Sequence, residues 1–160
     1  MTHESERQGS NEGATTPLFR VALAQVNPTV GDIEGNTRLI TDHIKRAREA
    51  QADLVAFPEL CVTGYPPEDL LYKDSFLDAA DDALKQIVKA STAITVVVGY
   101  PLRHSRESGN PESPLIFNGA AVIHDAKLID IYRKIFLPNY SVFDEERYFT
   151  SGNLSPVYEI

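Results

Sequence analysis

FRVALAQVNPTVGDIEGNTRLITDHIKRAREAQADLVAF, Phe19 to Phe57, is the stretch that decides the fold. Phe19–Gln25 is a short apolar run that suits a buried strand, and Asn27-Pro28 and Gly31-Asp32 follow it as loop punctuation. From Asn36 to Gln51, Ile40, Ile44 and Ala47 recur at spacings of four and three, one face of a helix. Lys45, Arg46, Arg48 and Glu49 keep the other face wet. Asp53–Phe57 is a second apolar strand, closed by Pro58. A strand, a helix and a strand in this compass form a βαβ unit, with parallel strands and a right-handed crossover.

Working outward, a second helix fits Ser75 to Ala90, with Phe76, Ala80, Ala83, Leu84 and Ile87 along one stripe. Ser75 with Asp78 resembles a capping box at its start. Thr95–Gly99 is a third, β-branched strand. Arg103–Pro114 (RHSRESGNPESP) is polar and rich in turn formers, and reads as an exposed loop or insertion. Phe117–Ile123 and Lys127–Tyr132 flank His124-Asp125-Ala126 as a hairpin. The order βαβαβ followed by antiparallel strands predicts an α/β layered sheet. Upstream, Met1–Pro17 holds no large apolar residue after Met1, so a disordered tail is expected, with order beginning at Leu18. Downstream, Ser151–Ile160 turns and stops where another strand begins, which leads us to expect an incomplete domain.

Composition narrows the function. At 160 residues, 42% hydrophobic and 24% charged, the chain has the balance of a soluble domain or a piece of one. Fifteen basic against 23 acidic residues leave a formal charge of −8. That sign argues against nucleic acid and against anionic lipid as partners. A single cysteine excludes a disulfide framework and fits a reducing cytoplasm. No apolar run is long enough to span a membrane, and no apolar h-region marks a secretory signal. No metal-ligand spacing is present.

Several residues could carry chemistry. Glu59 follows the second strand, and ligands of parallel α/β sheets gather at the carboxyl ends of strands. Flanked by Phe57 and Leu60, it could be partly desolvated and serve as a general base; a solvated loop acid is the alternative. Lys134, just past the last strand, could hold an oxyanion, or be a surface cation beside Arg133. Thr63–Leu71 (TGYPPEDLL) is a rigid proline-rich loop that either shapes a pocket or simply connects elements. Asn139–Phe149 (NYSVFDEERYF) is dense in aromatics and acids, explained by a pocket or by an edge strand. Cys61, the only thiol, reads as a buried structural cysteine, since a neighbouring carboxylate disfavours the thiolate.

Together, Phe57-Pro58-Glu59-Leu60, Thr63–Leu71, Tyr132-Arg133-Lys134 and Leu137–Tyr140 with Phe143-Asp144-Glu145 and Arg147-Tyr148-Phe149 resemble the nitrilase (carbon–nitrogen hydrolase) superfamily. Within it they are most similar to the N-terminal glutaminase domain of glutamine-dependent NAD synthetases, as is the opening Ala22–Asp32. The resemblance runs from about Phe19 to the last residue, interrupted by the Arg103–Pro114 loop.

This resemblance implies a four-layer α-β-β-α sandwich, of which the chain would form part, and a Glu-Lys-Cys triad. Glu59 would be the general base, Lys134 the oxyanion stabiliser and Glu145 a second glutamate supporting the lysine. Tyr65 and Tyr140 match tyrosines near a glutamine pocket, and Phe143 lies in the segment that lines the ammonia exit. The family's nucleophile lies on a strand well after the lysine, yet no cysteine follows Lys134, so the chain alone is expected to be inactive. The resemblance implies glutamine as substrate and no cofactor in this domain. It further implies a synthetase domain using ATP and magnesium, and a homo-oligomeric intact protein. The alternatives are another carbon–nitrogen hydrolase, acting on an ω-amide, nitrile or carbamoyl group, and a non-catalytic partner of intact subunits.

Overall fold

The structure is a computed structural model that describes residues 18–104 and 115–159. The expected tail at 1–17 and residues 105–114 of the expected loop lie outside the described residues.

Five strands and two α-helices follow the anticipated order. They are β1 (Val21–Leu23), α1 (Ile33–Glu49), β2 (Leu54–Ala56), α2 (Asp74–Ala90), β3 (Thr95–His104), β4 (Leu115–His124) and β5 (Lys127–Arg133). They build one sheet in the order β1-β2-β3-β4-β5. β1, β2 and β3 run parallel, as a βαβαβ unit requires, and β4 and β5 add antiparallel to them.

Tertiary pairing moves several boundaries. β1 and β2 are each shorter than their apolar runs, because only three residues of each find ladder partners. α1 begins three residues before Asn36, since the Asp32 carboxylate caps the helix by accepting from the Gly35 N–H at 2.9 Å. The capping box expected at the start of α2 does not form. Lys73 occupies the N-cap position without a side-chain cap, and Ser75 lies inside the helix. A 3-10 turn, Glu68–Tyr72, runs straight into α2, so the backbone sets the entry. Asp78 instead pairs with Arg103. Arg103 and His104 are therefore strand rather than loop, opposite Ile116 and Leu115 in the β3–β4 ladder. The hairpin tightens to Asp125-Ala126, at φ 44° and 57°, a left-handed pair suited to a two-residue connection.

α1 and α2 pack together on one face of the sheet. Ile40 and Ile44 of α1 and Ala80 and Ile87 of α2 are fully or almost fully buried against Val96, Val98 and Ile123. Each large aliphatic side chain hidden this way contributes about 1.5–3 kcal/mol. Strand alternation turns Val97, Gly99, Ala120 and Tyr132 to the opposite face, which no described helix covers. Ala22 packs on the helical side, so its neighbours Val21 and Leu23 face away and stand 50% and 76% exposed. The α/β fold thus presents one sheet and one helical layer, two of the four layers that the resemblance implies. Among the described residues no helix is long and apolar enough to cross a membrane.

Candidate active site

The open face of the sheet carries a polar cluster at the carboxyl end of β2. After Ala56 the chain keeps one more link to β3, Phe57 N–H to the Val97 carbonyl, and then turns across Gly99. A Cβ on Gly99 would stand 2.3 Å from the Leu60 nitrogen and 2.7 Å from the Pro58 oxygen, so only glycine lets this loop lie so close. Leu60 adopts φ 46°, and the Val62 N–H returns to the Gly99 carbonyl. Asn36 of α1 braces the loop from behind, donating to the Val62 carbonyl at 3.1 Å. Glu59 is thereby held at the tip. Its side chain is 44% exposed, and it faces Lys134 and Asn118 in a cleft that Phe57 and Tyr132 also border.

Lys134 follows β5 and is clamped through its backbone on both sides. Its N–H donates to the Asn118 carbonyl at 2.9 Å, and its own carbonyl accepts from the Gly152 N–H at 2.8 Å. Its ammonium Nζ donates to Glu59 Oε1 at 2.6 Å and to Glu145 Oε1 and Oε2 at 3.1 and 3.0 Å. Burial alone would lower the pKa of this amine. The hydrogen bonds to Glu59 and Glu145 outweigh that and hold it above the ordinary lysine value. The amine therefore stays charged, as an oxyanion partner must.

Glu145 is a buried carboxylate, 5% exposed, carried on a short 3-10 turn, Glu145–Arg147. The edge-strand reading of Asn139–Phe149 does not hold, because no ladder partner reaches this segment and it folds as turns. Besides Lys134, Glu145 accepts from the Tyr65 hydroxyl at 3.1 Å and from Asn118 Nδ2 at 3.4 Å. Buried carboxylates persist only when paired in this way. Burial and then the Glu145 carboxylate push the Tyr65 phenol up to about 12, so it acts as a donor.

Glu59, Lys134, Glu145 and Tyr65, separated by up to 86 positions, thus meet in one network. Phe143 borders a cavity of about 610 Å³ together with Tyr65, Pro66, Glu145 and Arg147. Glu59 and Lys134 border a second cavity, of about 260 Å³, with Asn118 and Tyr132. The network stands between the two. Among the described residues the Tyr140 hydroxyl makes no hydrogen bond to the ionic groups; the residue is 67% exposed with its ring 5.5 Å from that of Phe143. Cys61 is fully buried in the helix-side core, and burial pushes its thiol up to about 12, which makes it inert at neutral pH. The turn after Glu59 breaks strand alternation, so two residues of separation do not bring Cys61 into the cleft.

Sequence reasoning missed Asn118. It is 4% exposed and its Nδ2 donates to Glu59 Oε1 at 2.5 Å. One signal was available: an asparagine, a poor strand former, sits inside the apolar run Leu115–Ile123. Among the described residues no group of three His, Cys, Asp or Glu side chains is placed to hold a metal.

Known proteins share this arrangement of chain. The family model for carbon-nitrogen hydrolases matches residues 20–160. The glutamine-dependent NAD(+) synthetase of Xanthomonas campestris is 43% identical over 136 residues, covering 84% of this chain and 23% of the relative. That of Thermotoga maritima is 42% identical over 134 residues, covering 84% and 22%. The solved glutamine-dependent NAD+ synthetase of Acinetobacter baumannii superposes with a TM-score of 0.79 at 38% identity, over 89% of this chain and 26% of its own. An amidase of the nitrilase superfamily from Nesterenkonia gives 0.72 at 27% identity, over 89% and 52%. The chain therefore spans about a quarter of the length of the curated synthetases it matches. With a βαβ sheet that carries a glutamate after β2 and a lysine after β5 in one ionic network, and a family match over residues 20–160, this chain belongs to the carbon–nitrogen hydrolase family.

Proposed function

We propose that this chain supplies the base and the oxyanion cation of a site that hydrolyses the side-chain amide of glutamine. The observation that carries the reading is the 2.6 Å contact between the Lys134 ammonium and Glu59, at the mouth of a cavity on the open sheet face. A thiol would lose its proton to Glu59 and attack the amide carbon. The tetrahedral oxyanion would rest against Lys134 Nζ, and Glu59 would pass its proton to the departing ammonia. Glu59 would then take a proton from water as the thioester is hydrolysed to glutamate. Cys61, buried and unreactive, does not fill the thiol's role, so the nucleophile comes from outside these 160 residues. A glutamate-to-glutamine mutant of an amidase from Nesterenkonia, which carries acrylamide added at its active-site cysteine, supports a cysteine in the attacking role.

The synthetases named above support glutamine as the amide donor. In the whole protein the ammonia would feed ATP-dependent formation of NAD from deamido-NAD in a synthetase domain, within a cytoplasmic homo-oligomer. Tyr65, Tyr140 and Phe143 would shape the glutamine pocket, and Glu145 would steady Lys134. This domain would need no cofactor. ATP and magnesium would belong to the synthetase domain.

The test is a chimaera in which residues 18–160 replace the matching segment of the Xanthomonas synthetase. Glutamine hydrolysis is expected, falling about 100- to 10,000-fold in Glu59→Gln and about 100- to 1,000-fold in Lys134→Ala. A folded chimaera that hydrolyses simple aliphatic amides but not glutamine would move the assignment to an amidase, the reading favoured by the superposition on the Nesterenkonia enzyme.

A further inference from the structure

Asn118 is the residue around which the ionic cluster is assembled. Its backbone carbonyl holds the N–H of Lys134, while its carboxamide NH2 reaches both of that lysine's counter-ions, Glu59 Oε1 at 2.5 Å and Glu145 Oε2 at 3.4 Å. The amide orientation follows from chemistry: two ionised carboxylates can only accept, so the NH2 and not the oxygen must face them. Lys134 Nζ approaches the same Glu59 oxygen at 2.6 Å. Both side-chain donors that reach Glu59 thus converge on Oε1, which leaves Oε2 without a side-chain donor among the described residues, on a partly exposed carboxylate that borders the cavity.

Two carboxylates sharing one ammonium repel each other, and a neutral double donor between them offsets that repulsion without adding charge. We propose that Asn118 is a positioning residue of this site, which locks Glu59 and Glu145 about the Lys134 ammonium and reserves Glu59 Oε2 for proton exchange. Asn118 deepens the proposed function, and rests on it only for the identity of the proton acceptor. The groups facing Lys134 are Glu59 from the loop after β2, Glu145 from its 3-10 turn, Tyr65 through Glu145, and Tyr132 along the cavity wall. Arg133 points to the other face, over the Phe117 ring.

The test needs no turnover and uses the 160-residue chain itself. Competitive acetylation with acetic anhydride between pH 8 and 11, read peptide by peptide in a mass spectrometer, reports the reactivity of Lys134 against exposed Lys127. Asn118→Ala releases the carboxylates and is expected to raise Lys134 labelling about threefold, equal to about half a pH unit. Asn118→Asp keeps the shape and adds negative charge beside the ammonium, so labelling is expected to be slower than in the parent. Opposite responses of the two variants are the signature of positioning. An Asn118→Ala chain with native circular dichroism and an unchanged profile overturns the proposal, as does unchanged or faster labelling in Asn118→Asp. If the alanine variant fails to fold, the aspartate variant decides alone. A silent chimaera with the expected labelling pattern would refute the substrate reading and leave the role of Asn118 standing.

Discussion

Gly99 shows how much one side chain, or its lack, decides about this site. The Pro58–Leu60 turn lies so close to β3 that an added methyl would sit inside van der Waals contact with three backbone atoms. Backbone cannot yield as a flexible side chain does, so the loop would have to lift and take Glu59 with it. Gly99→Ala should cost about 1–3 kcal/mol, the usual range for overpacking. A lowered urea midpoint together with faster Lys134 acetylation would show that stability and site geometry fail together. Gly152 plays a similar part behind Lys134, where a Cβ would meet the Arg133 oxygen at 2.2 Å.

Elements are held by unequal forces. Both helices are tied to the core by side chains such as Ile44, 1% exposed, and Ile87, 0% exposed, and α2 in addition reaches the end of β3 through Arg103 and the carboxylates of Asp74, Asp78 and Asp81. Removing a buried aliphatic leaves a cavity, so Ile44→Ala should cost about 2–5 kcal/mol. The aspartates are 85%, 62% and 35% exposed, which leaves them largely screened. Arg103→Ala should therefore cost less than about 1 kcal/mol. Denaturant melts of both variants at low and high salt check the contrast, since only the Arg103 effect should fade with added salt.

At the scale of the whole molecule, titration and exposure make the next predictions. Lys134 and Tyr65 both hold protons more tightly in the folded chain than free side chains do. A raised folded pKa contributes stability that is complete below the unfolded pKa and lost as pH climbs through the folded one. For Tyr65 that window opens near 10.0 and closes at about 12, and Lys134 titrates in the same direction. The unfolding midpoint should fall across this range, and less steeply in Tyr65→Phe; alkaline denaturant melts measure it. The uncovered sheet face leaves Val21 and Leu23 half-exposed or more, beside the open cleft. The isolated chain should bind the dye ANS and self-associate, which sedimentation at several concentrations reads directly.

What could be read from the residues was local or periodic. The spacing of Ile40, Ile44 and Ala47 determined α1, the apolar runs determined the strand order, and the motif strings around Glu59 and Lys134 marked the site. Hydrophobic period acts over a few residues, so it is visible in a linear string. Tertiary structure alone decided the rest. The extension of β3 to His104 depends on its ladder with β4, and the failed cap at Ser75 on the 3-10 turn before α2. The role of Asn118 depends on a lysine 16 positions away and on carboxylates 59 and 27 positions away. Hydrogen bonds of that reach exist only after the sheet has brought distant segments together, because their energy depends on distances of a few ångströms and not on separation along the chain.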